Sequence, residues 1–405
     1  MKLLRINTTV NTGSTGRIAE DIGQLFLTKG HKSYIAYSRK GQSSTSQLIH
    51  IGSKLDMYLH GIHTRLFDRH GFASKKATKD LISEIDDLQP DIIGLHNMHG
   101  YYLHVGELFR YLKENQHIPV VWTLHDCWPF TGHCIYFEYE GCEKWKTHCK
   151  NCPLTHTYPK SFIDNSYKNF EDKRRIFTNH QNLTIVTPSR WLSGLVEDSF
   201  LHNYETKVIH NGIDLRQFRI LNKKDVGVSE KKIVLGVASV WDERKGLNDF
   251  ISLSKIFPEE YQIVLVGINK SQKQKLPQNI KVITHTENIP ELVKWYNAAD
   301  VFVNPTYEDN FPTTNIEALA CGTPVVTYET GGSPEIIDEN TGIVVAKGNL
   351  GKLKHAIVNV VEKSDMETTN LCRRRAEENF NMKNRFLDYY NLYQDILKRD
   401  SSFVR

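Results

Sequence analysis

The residues best suited to chemistry cluster between Asn304 and Ile337, in the run NPTYEDNFPTTNIEALACGTPVVTYETGGSPEII. Glu308, Asp309, Glu317 and Glu335 supply carboxylates that can accept hydrogen bonds from hydroxyl-rich ligands. Thr314-x-x-Glu317 has the spacing of a capping box, and Ser333-Pro334-Glu335 that of an N-cap, a proline at the first helical position and an acidic first turn. Helix starts expose N–H groups with partial positive charge, which suit an anion such as a diphosphate. Gly331-Gly332 would let the backbone approach a ligand closely. Taken singly, each feature has a plainer reading: Glu317 completes a cap, Glu335 complements a helix dipole, and Glu308 and Asp309 are solvated loop charges.

Strands must place these groups. Val301-Phe302-Val303 and Val325-Val326-Thr327 are short apolar runs, so Asn304–Pro312 and the Gly-Gly turn fall at strand carboxyl ends, where open α/β sheets bind ligands. Ile233–Ala238 and Ile263–Val266 add further strands of the same kind. Near the start, an apolar strand is followed by Asn11-Thr12-Gly13-Ser14-Thr15-Gly16-Arg17 and a helical pattern at Ile18, Ile22, Leu25 and Phe26. The glycine spacing is not G-x-G-x-x-G, which argues against a dinucleotide loop. Pro119–Leu124 is a strand that delivers His125 and Asp126, and the polar, aromatic run His96–Tyr102 ends another. His125, with Asp126 orienting it or binding a second substrate, is therefore a candidate active-site residue. The alternation of strands and helices predicts an α/β chain of two doubly wound domains.

The chain has 405 residues, enough for two domains each burying its own core. A net charge of +4 is too mild to point to nucleic acid. No apolar run approaches the roughly 20 residues needed to span a bilayer, and Met1–Ile6 is too short for an export signal, so a cytoplasmic protein is expected. Residues 54–79 mix apolar side chains with Arg65, Arg69, Lys75 and Lys76, a composition open to two readings: a helix packed on its own domain, or peripheral contact at the inner membrane face. Of 7 cysteines, Cys127, Cys134, Cys142, Cys149 and Cys152 crowd one segment. Cys134, Cys142, Cys149 and Cys152 could close a structural zinc site, with His133 and His148 as substitute ligands; the rival reading is a set of reduced thiols or labile disulfides in an insertion near 127–152.

Asp309, the seven residues after it, Glu317 in Glu-Ala-Leu-Ala-Cys-Gly-Thr-Pro-Val, and Gly331-Gly332-x-x-Glu335 together resemble the donor-site pattern of retaining glycosyltransferases of family four. Pro188-Ser189 and Asn211-Gly212-Ile213-Asp214 resemble landmarks of the same family, and the likeness extends over nearly the whole chain, within a subgroup linked to bacterial surface polysaccharide (colanic-acid-type) assembly. The resemblance implies the GT-B fold: two Rossmann-like domains facing a cleft, residues 1–205 on the acceptor side and 206–382 on the donor side, with a terminal helix (383–405) crossing back to the first. It implies transfer of a sugar from a nucleoside diphosphate to a glycan or lipid-linked acceptor with retained configuration. Glu317 would hold the ribose, Asp309 or Glu308 the sugar hydroxyls, and Lys245 the diphosphate. The family usually has an arginine where Ser239 stands, and the resemblance implies that Arg244 would compensate from a neighbouring position. Asn310, Phe311, Thr313, Thr314, Gly331 and Gly332, with Gly13 and Gly16, complete the expected donor contacts, and His125 and Asp126 the expected reaction centre. Asp309 stands where the family commonly has Glu, which leaves Asp309 and Glu308 as alternatives. The chain contains no Asp-x-Asp, so no metal is required for catalysis. A pair of carboxylates acting on a glycosidic bond, a nucleotide-sugar epimerase of the same fold and a non-catalytic sugar-nucleotide-binding regulator are the other readings.

Overall fold

Apolar runs too short for helices and flanked by loops become strands buried on both faces, as parallel sheets require. The computed structural model describes residues 1–39, 41–222 and 230–403. Among the described residues, one sheet holds β1 (Lys2–Ile6), β2 (Lys32–Tyr37), β3 (Gln47–His50), β4 (Ile92–Leu95), β5 (Val120–Thr123), β6 (Leu183–Thr187) and β7 (Glu205–Val208), in the order β3-β2-β1-β4-β5-β6-β7. A second holds β8 (Lys232–Val237), β9 (Tyr261–Val266), β10 (Ile280–Ile283), β11 (Val301–Asn304), β12 (Val325–Tyr328) and β13 (Gly342–Val345), in the order β10-β9-β8-β11-β12-β13. The described pairings are parallel, as between β1 and β4 and between β8 and β11. Strand order reverses at β1 and at β8, and a crevice forms at the carboxyl ends of strands at such a reversal.

The chain divides into two compact units: Met1–Ile209 together with the segment from Phe386 onward, and His210–Arg385. These divisions fall later than the 205/206 and 382/383 expected from sequence. The Ile209 N–H still bonds the Thr187 carbonyl at 2.9 Å at the end of β6, and the Met382 N–H bonds Ile213 at 3.1 Å.

In the second unit, alternation along each strand sorts apolar side chains onto the two sheet faces. Leu235, Phe302 and Val325 join one buried cluster, while Val234, Val301, Val303 and Val326 join another. The first unit buries Trp122 and Phe109 with Phe177, in ring contacts at 4.7 to 5.3 Å between centroids. Residues 54–79 form the helix Lys54–Phe67 and the start of the helix Lys75–Leu88. The first of these is amphipathic in reverse: it buries His60 and Thr64 and exposes Leu55, Tyr58, Leu59, Ile62 and Leu66.

Candidate functional site

In the second unit, the loops after β8, β11 and β12 are laced to one another. After β8 the chain makes a single turn, Glu243–Lys245, capped by the Asp242 carboxylate on the Lys245 N–H at 2.9 Å. Gly246 follows with φ 75°, and a Cβ there would stand 2.2 Å from the Pro305 carbonyl oxygen, so only glycine lets this turn lie against the β11 loop. The contact is fixed from the other side by the Tyr307 N–H on the Arg244 carbonyl at 2.8 Å.

Their side chains meet at the same place. The Arg244 guanidinium donates to the Glu308 carbonyl at 3.1 Å, with Nε 3.8 Å from the Glu308 carboxylate. Lys245 forms an ion pair with Asp309. Beyond β12, Gly331 (φ 52°) sits so close that an added Cβ would lie 1.7 Å from the Asp309 carbonyl oxygen, and the Gly332 N–H bonds the Asn310 carbonyl at 2.8 Å. Arg244, Lys245, Glu308, Asp309, Asn310, Gly331 and Gly332 are thus brought together. Phe311 is buried, its ring stacked on His210 at 4.8 Å and 5°.

Thr313 and Thr314 open the helix Thr313–Ala320, but the expected capping box between Thr314 and Glu317 is not formed. The helix starts earlier than that spacing requires: Pro312 is its N-cap, so Thr314 and Glu317 lie inside it, at its second and fifth positions. Glu317 instead accepts from the Tyr296 hydroxyl at 2.9 Å. The expected cap at Ser333 is also displaced: Gly332 is the N-cap of the helix Ser333–Ile336, and Pro334 is its second residue. The side chains of Asn315 (at Nδ2), Thr330 and Ser333 carry buried polar atoms without a hydrogen-bond partner among the described residues. Each such atom costs about 1–3 kcal/mol unless something pairs with it.

In the first unit, Gly13 opens the helix Gly13–Thr28 at φ 68°, and a Cβ on Gly16 would meet the Thr9 hydroxyl at 2.7 Å, so both serve the backbone turn. His125, at the end of β5, faces His96, at the end of β4, with Nε2 3.3 Å from Nδ1 and the rings stacked. Burial lowers the His125 pKa to about 4 and takes His96 well below its ordinary value, so both imidazoles are neutral at pH 7. Asp126 acts on His125 through its charge, which opposes the effect of burial on the imidazole. Its carboxylate pairs with His99 Nε2 at 2.7 Å and accepts the Trp128 N–H at 3.0 Å. Burial alone would raise this carboxyl, but His99 and the hydrogen bonds hold it below its usual range. The Tyr158 hydroxyl lies 3.2 Å from the other His99 nitrogen. Sequence reasoning missed His99, although it belongs to the flagged run 96–102, and missed Tyr296, whose distance from Glu317 in sequence gave no sign of contact.

The cysteine segment packs on the first unit's core. The Cys134 and Cys152 thiols are hydrogen-bonded to each other, which draws Cys152 down to about 7, while Cys134 is pushed well up. The Gly132 N–H reaches Cys149 Sγ at 3.2 Å. His133 is paired with Asp68 and His148 with Glu171. Among the described residues no group of three or more His, Cys, Asp or Glu is placed to hold a metal ion, and the four thiols expected as a zinc set, Cys142 included, are free cysteines.

Comparison with known proteins covers both units. The family described as Glycosyltransferase Family 4 matches residues 15–217, and the one described as Glycosyl transferases group 1 matches residues 231–363. WcaC of Escherichia coli (strain K12), a glycosyl transferase assigned to colanic acid biosynthesis, is 25% identical over 414 residues, spanning 98% of this chain and 100% of its own. Among solved structures, sucrose-phosphate synthase from Thermosynechococcus elongatus superposes with a TM-score of 0.71 at 15% identity, covering 98% of this chain and 99% of its own. Anabaena HepE, solved in complex with UDP, gives 0.67 at 15% identity, covering 98% and 100%. The architecture is that of the GT-B fold.

Proposed function

The chain belongs to glycosyltransferase family 4 and is a glycosyltransferase, and from that premise we propose that it moves a sugar from a nucleoside diphosphate to a lipid-linked or glycan acceptor in bacterial surface polysaccharide synthesis, with retention at the anomeric carbon. The observation that carries the donor assignment is the convergence of Lys245, Arg244, Glu308, Asp309 and the Gly331 turn at the carboxyl ends of β8, β11 and β12. The UDP complex of HepE supports a nucleoside diphosphate as donor, and WcaC supports a surface polysaccharide as destination.

In this reading the Lys245–Asp309 pair is the resting state of the site. An incoming diphosphate competes for the ammonium, and the freed Asp309 carboxylate accepts hydrogen bonds from sugar hydroxyls. Lys245 and the N–H groups at the start of the Thr313–Ala320 helix then stabilise the charge that develops on the departing nucleotide. Glu317, steadied by Tyr296, holds the ribose hydroxyls. The acceptor hydroxyl attacks the face the nucleotide leaves, the bond from the anomeric carbon to the diphosphate breaks, and the hydroxyl proton passes to the departing phosphate. His125, neutral at pH 7, serves as a hydrogen-bonding partner there and not as a proton donor of matched pKa.

The test is thermal unfolding with UDP-, GDP-, ADP- and dTDP-sugars, alone and in Glu317→Ala. A donor at a hundredfold its dissociation constant stabilises the folded chain by about 2.7 kcal/mol, a rise of several degrees. One donor should give that rise and Glu317→Ala should abolish it. No rise with any donor sinks the assignment.

A further inference from the structure

A strand at the edge of a sheet presents unpaired backbone groups, and folded proteins guard such edges with charged or polar side chains. Of the four edge strands among the described residues, three carry that guard: β3 has Gln47 and His50, β7 has Glu205 and Lys207, and β10 has Lys281. The fourth, β13, reads Gly342-Ile343-Val344-Val345 and has none. The Thr341 and Val345 carbonyls accept from the β12 side, from the Val325 N–H at 3.0 Å and the Glu329 N–H at 2.8 Å, so alternation along the strand turns the backbone groups of Val344 to the open side. The Val344 side chain is 39% exposed.

Two grooves, of about 510 and 390 Å³, run along this edge, and Ile343 and Asn359 line both. Toward the carboxyl end of β13, Lys352 and His355 line the first, and no acidic side chain does. Toward the amino end, Glu339, Asp365 and Glu367 line the second against a single lysine, Lys363. Ile343, Val344, Ala356 and Val360 supply apolar surface between them. The edge is thus acidic where β13 begins, apolar in the middle and basic where it ends. A surface ordered in this way is complementary to itself, because a two-fold axis through its middle lays the basic end of each copy on the acidic end of the other. A peptide of one charge sign would be attracted at one end and repelled at the other. The same axis sets two β13 strands antiparallel, the arrangement in which facing residues exchange backbone hydrogen bonds.

We propose that two copies of this chain associate through β13, the strands pairing antiparallel about a two-fold axis so that the second unit's six-stranded sheets of the two copies continue as one. The pairing is independent of the function proposed above.

Sedimentation equilibrium of the full chain at micromolar concentration tests it. The variants are Val344→Lys and two charge reversals, Lys352→Glu/His355→Glu and Glu339→Lys/Glu367→Lys; all the substituted residues are exposed in the folded chain. Wild type should sediment with the mass of two chains. Val344→Lys sets like charges opposite each other across the axis and should weaken association at least tenfold. Each reversal alone should sediment as single chains, since both ends of its edge then carry one sign, and the two reversals mixed should restore the mass of two chains. Restoration needs both variants folded, so a loss of fold cannot imitate it. Wild type that sediments as single chains, Val344→Lys that associates as wild type does, a reversal that pairs with itself, or a mixture that stays single would each overturn the proposal.

Discussion

Glu317 shows how much one residue can tell before any fold is known, and where that stops. Its position eight residues after Asp309 marked it as a ligand carboxylate, and its position three residues after Thr314 offered a capping role instead. The structure removes the second role, because the helix begins at Thr313 and leaves Thr314 and Glu317 inside it, and gives the carboxylate a buried tyrosine partner. Burial first, and the neighbouring Glu317 second, raise the Tyr296 pKa well above its ordinary value, so the hydroxyl keeps its proton and donates. Tyr296→Phe removes that bond with little change in volume. It should weaken nucleotide-sugar binding by about 1 kcal/mol, or roughly fivefold, as titration calorimetry with the preferred donor would show. Unchanged affinity would mean that Glu317 is held by other contacts. Asp126 teaches the complementary lesson: its adjacency to His125 was legible, but the pairing of its carboxylate with His99 across the loops was not.

At the scale of elements, the strands were legible because buried parallel strands are short, continuous apolar runs, and the glycine turns were legible because few other residues accept them. The distance between turns was not legible. Gly331 and Gly246 matter less for their own conformation than for the carbonyl oxygens, Asp309 and Pro305, that occupy the space a side chain would need. Gly331→Ala should therefore cost about 3 kcal/mol or more and abolish the donor-induced thermal shift. Gly13→Ala, also at positive φ but with nothing within 4 Å of the added carbon, should cost about 1 kcal/mol. Denaturant unfolding of the two variants side by side separates strain from collision; equal losses would refute the packing account. The helix Lys54–Phe67 was legible as amphipathic but not as reversed, since periodicity says that a helix has two faces and not which one meets the core.

For the whole molecule, the uneven placement of histidine has a thermodynamic result. Of the 18 histidines, all but His210, His285 and His355 precede the second unit. Burial is the leading cause that lowers His60 to about 3 and His104, His125 and His180 to about 4. A group whose folded pKa lies below its unfolded value takes up its proton more readily once unfolded, so stability is complete above about pH 6.5 and is lost as pH falls toward 4. At pH 5 each fully buried imidazole forfeits about 2 kcal/mol. Calorimetry from pH 7 to pH 5 should show the transition of the first unit moving down by several degrees while that of the second moves much less; parallel movement would contradict the assignment. The two units are otherwise built to one plan, each a parallel sheet whose strand order runs out to an edge from a central strand and resumes on that strand's other side. No strand ladder of either sheet is cut at 209/210 or 385/386. A recombination breakpoint at 209/210 would leave both sheets whole, whereas one at 385/386 would fall inside the helix Met382–Phe403 and divide it between two parents.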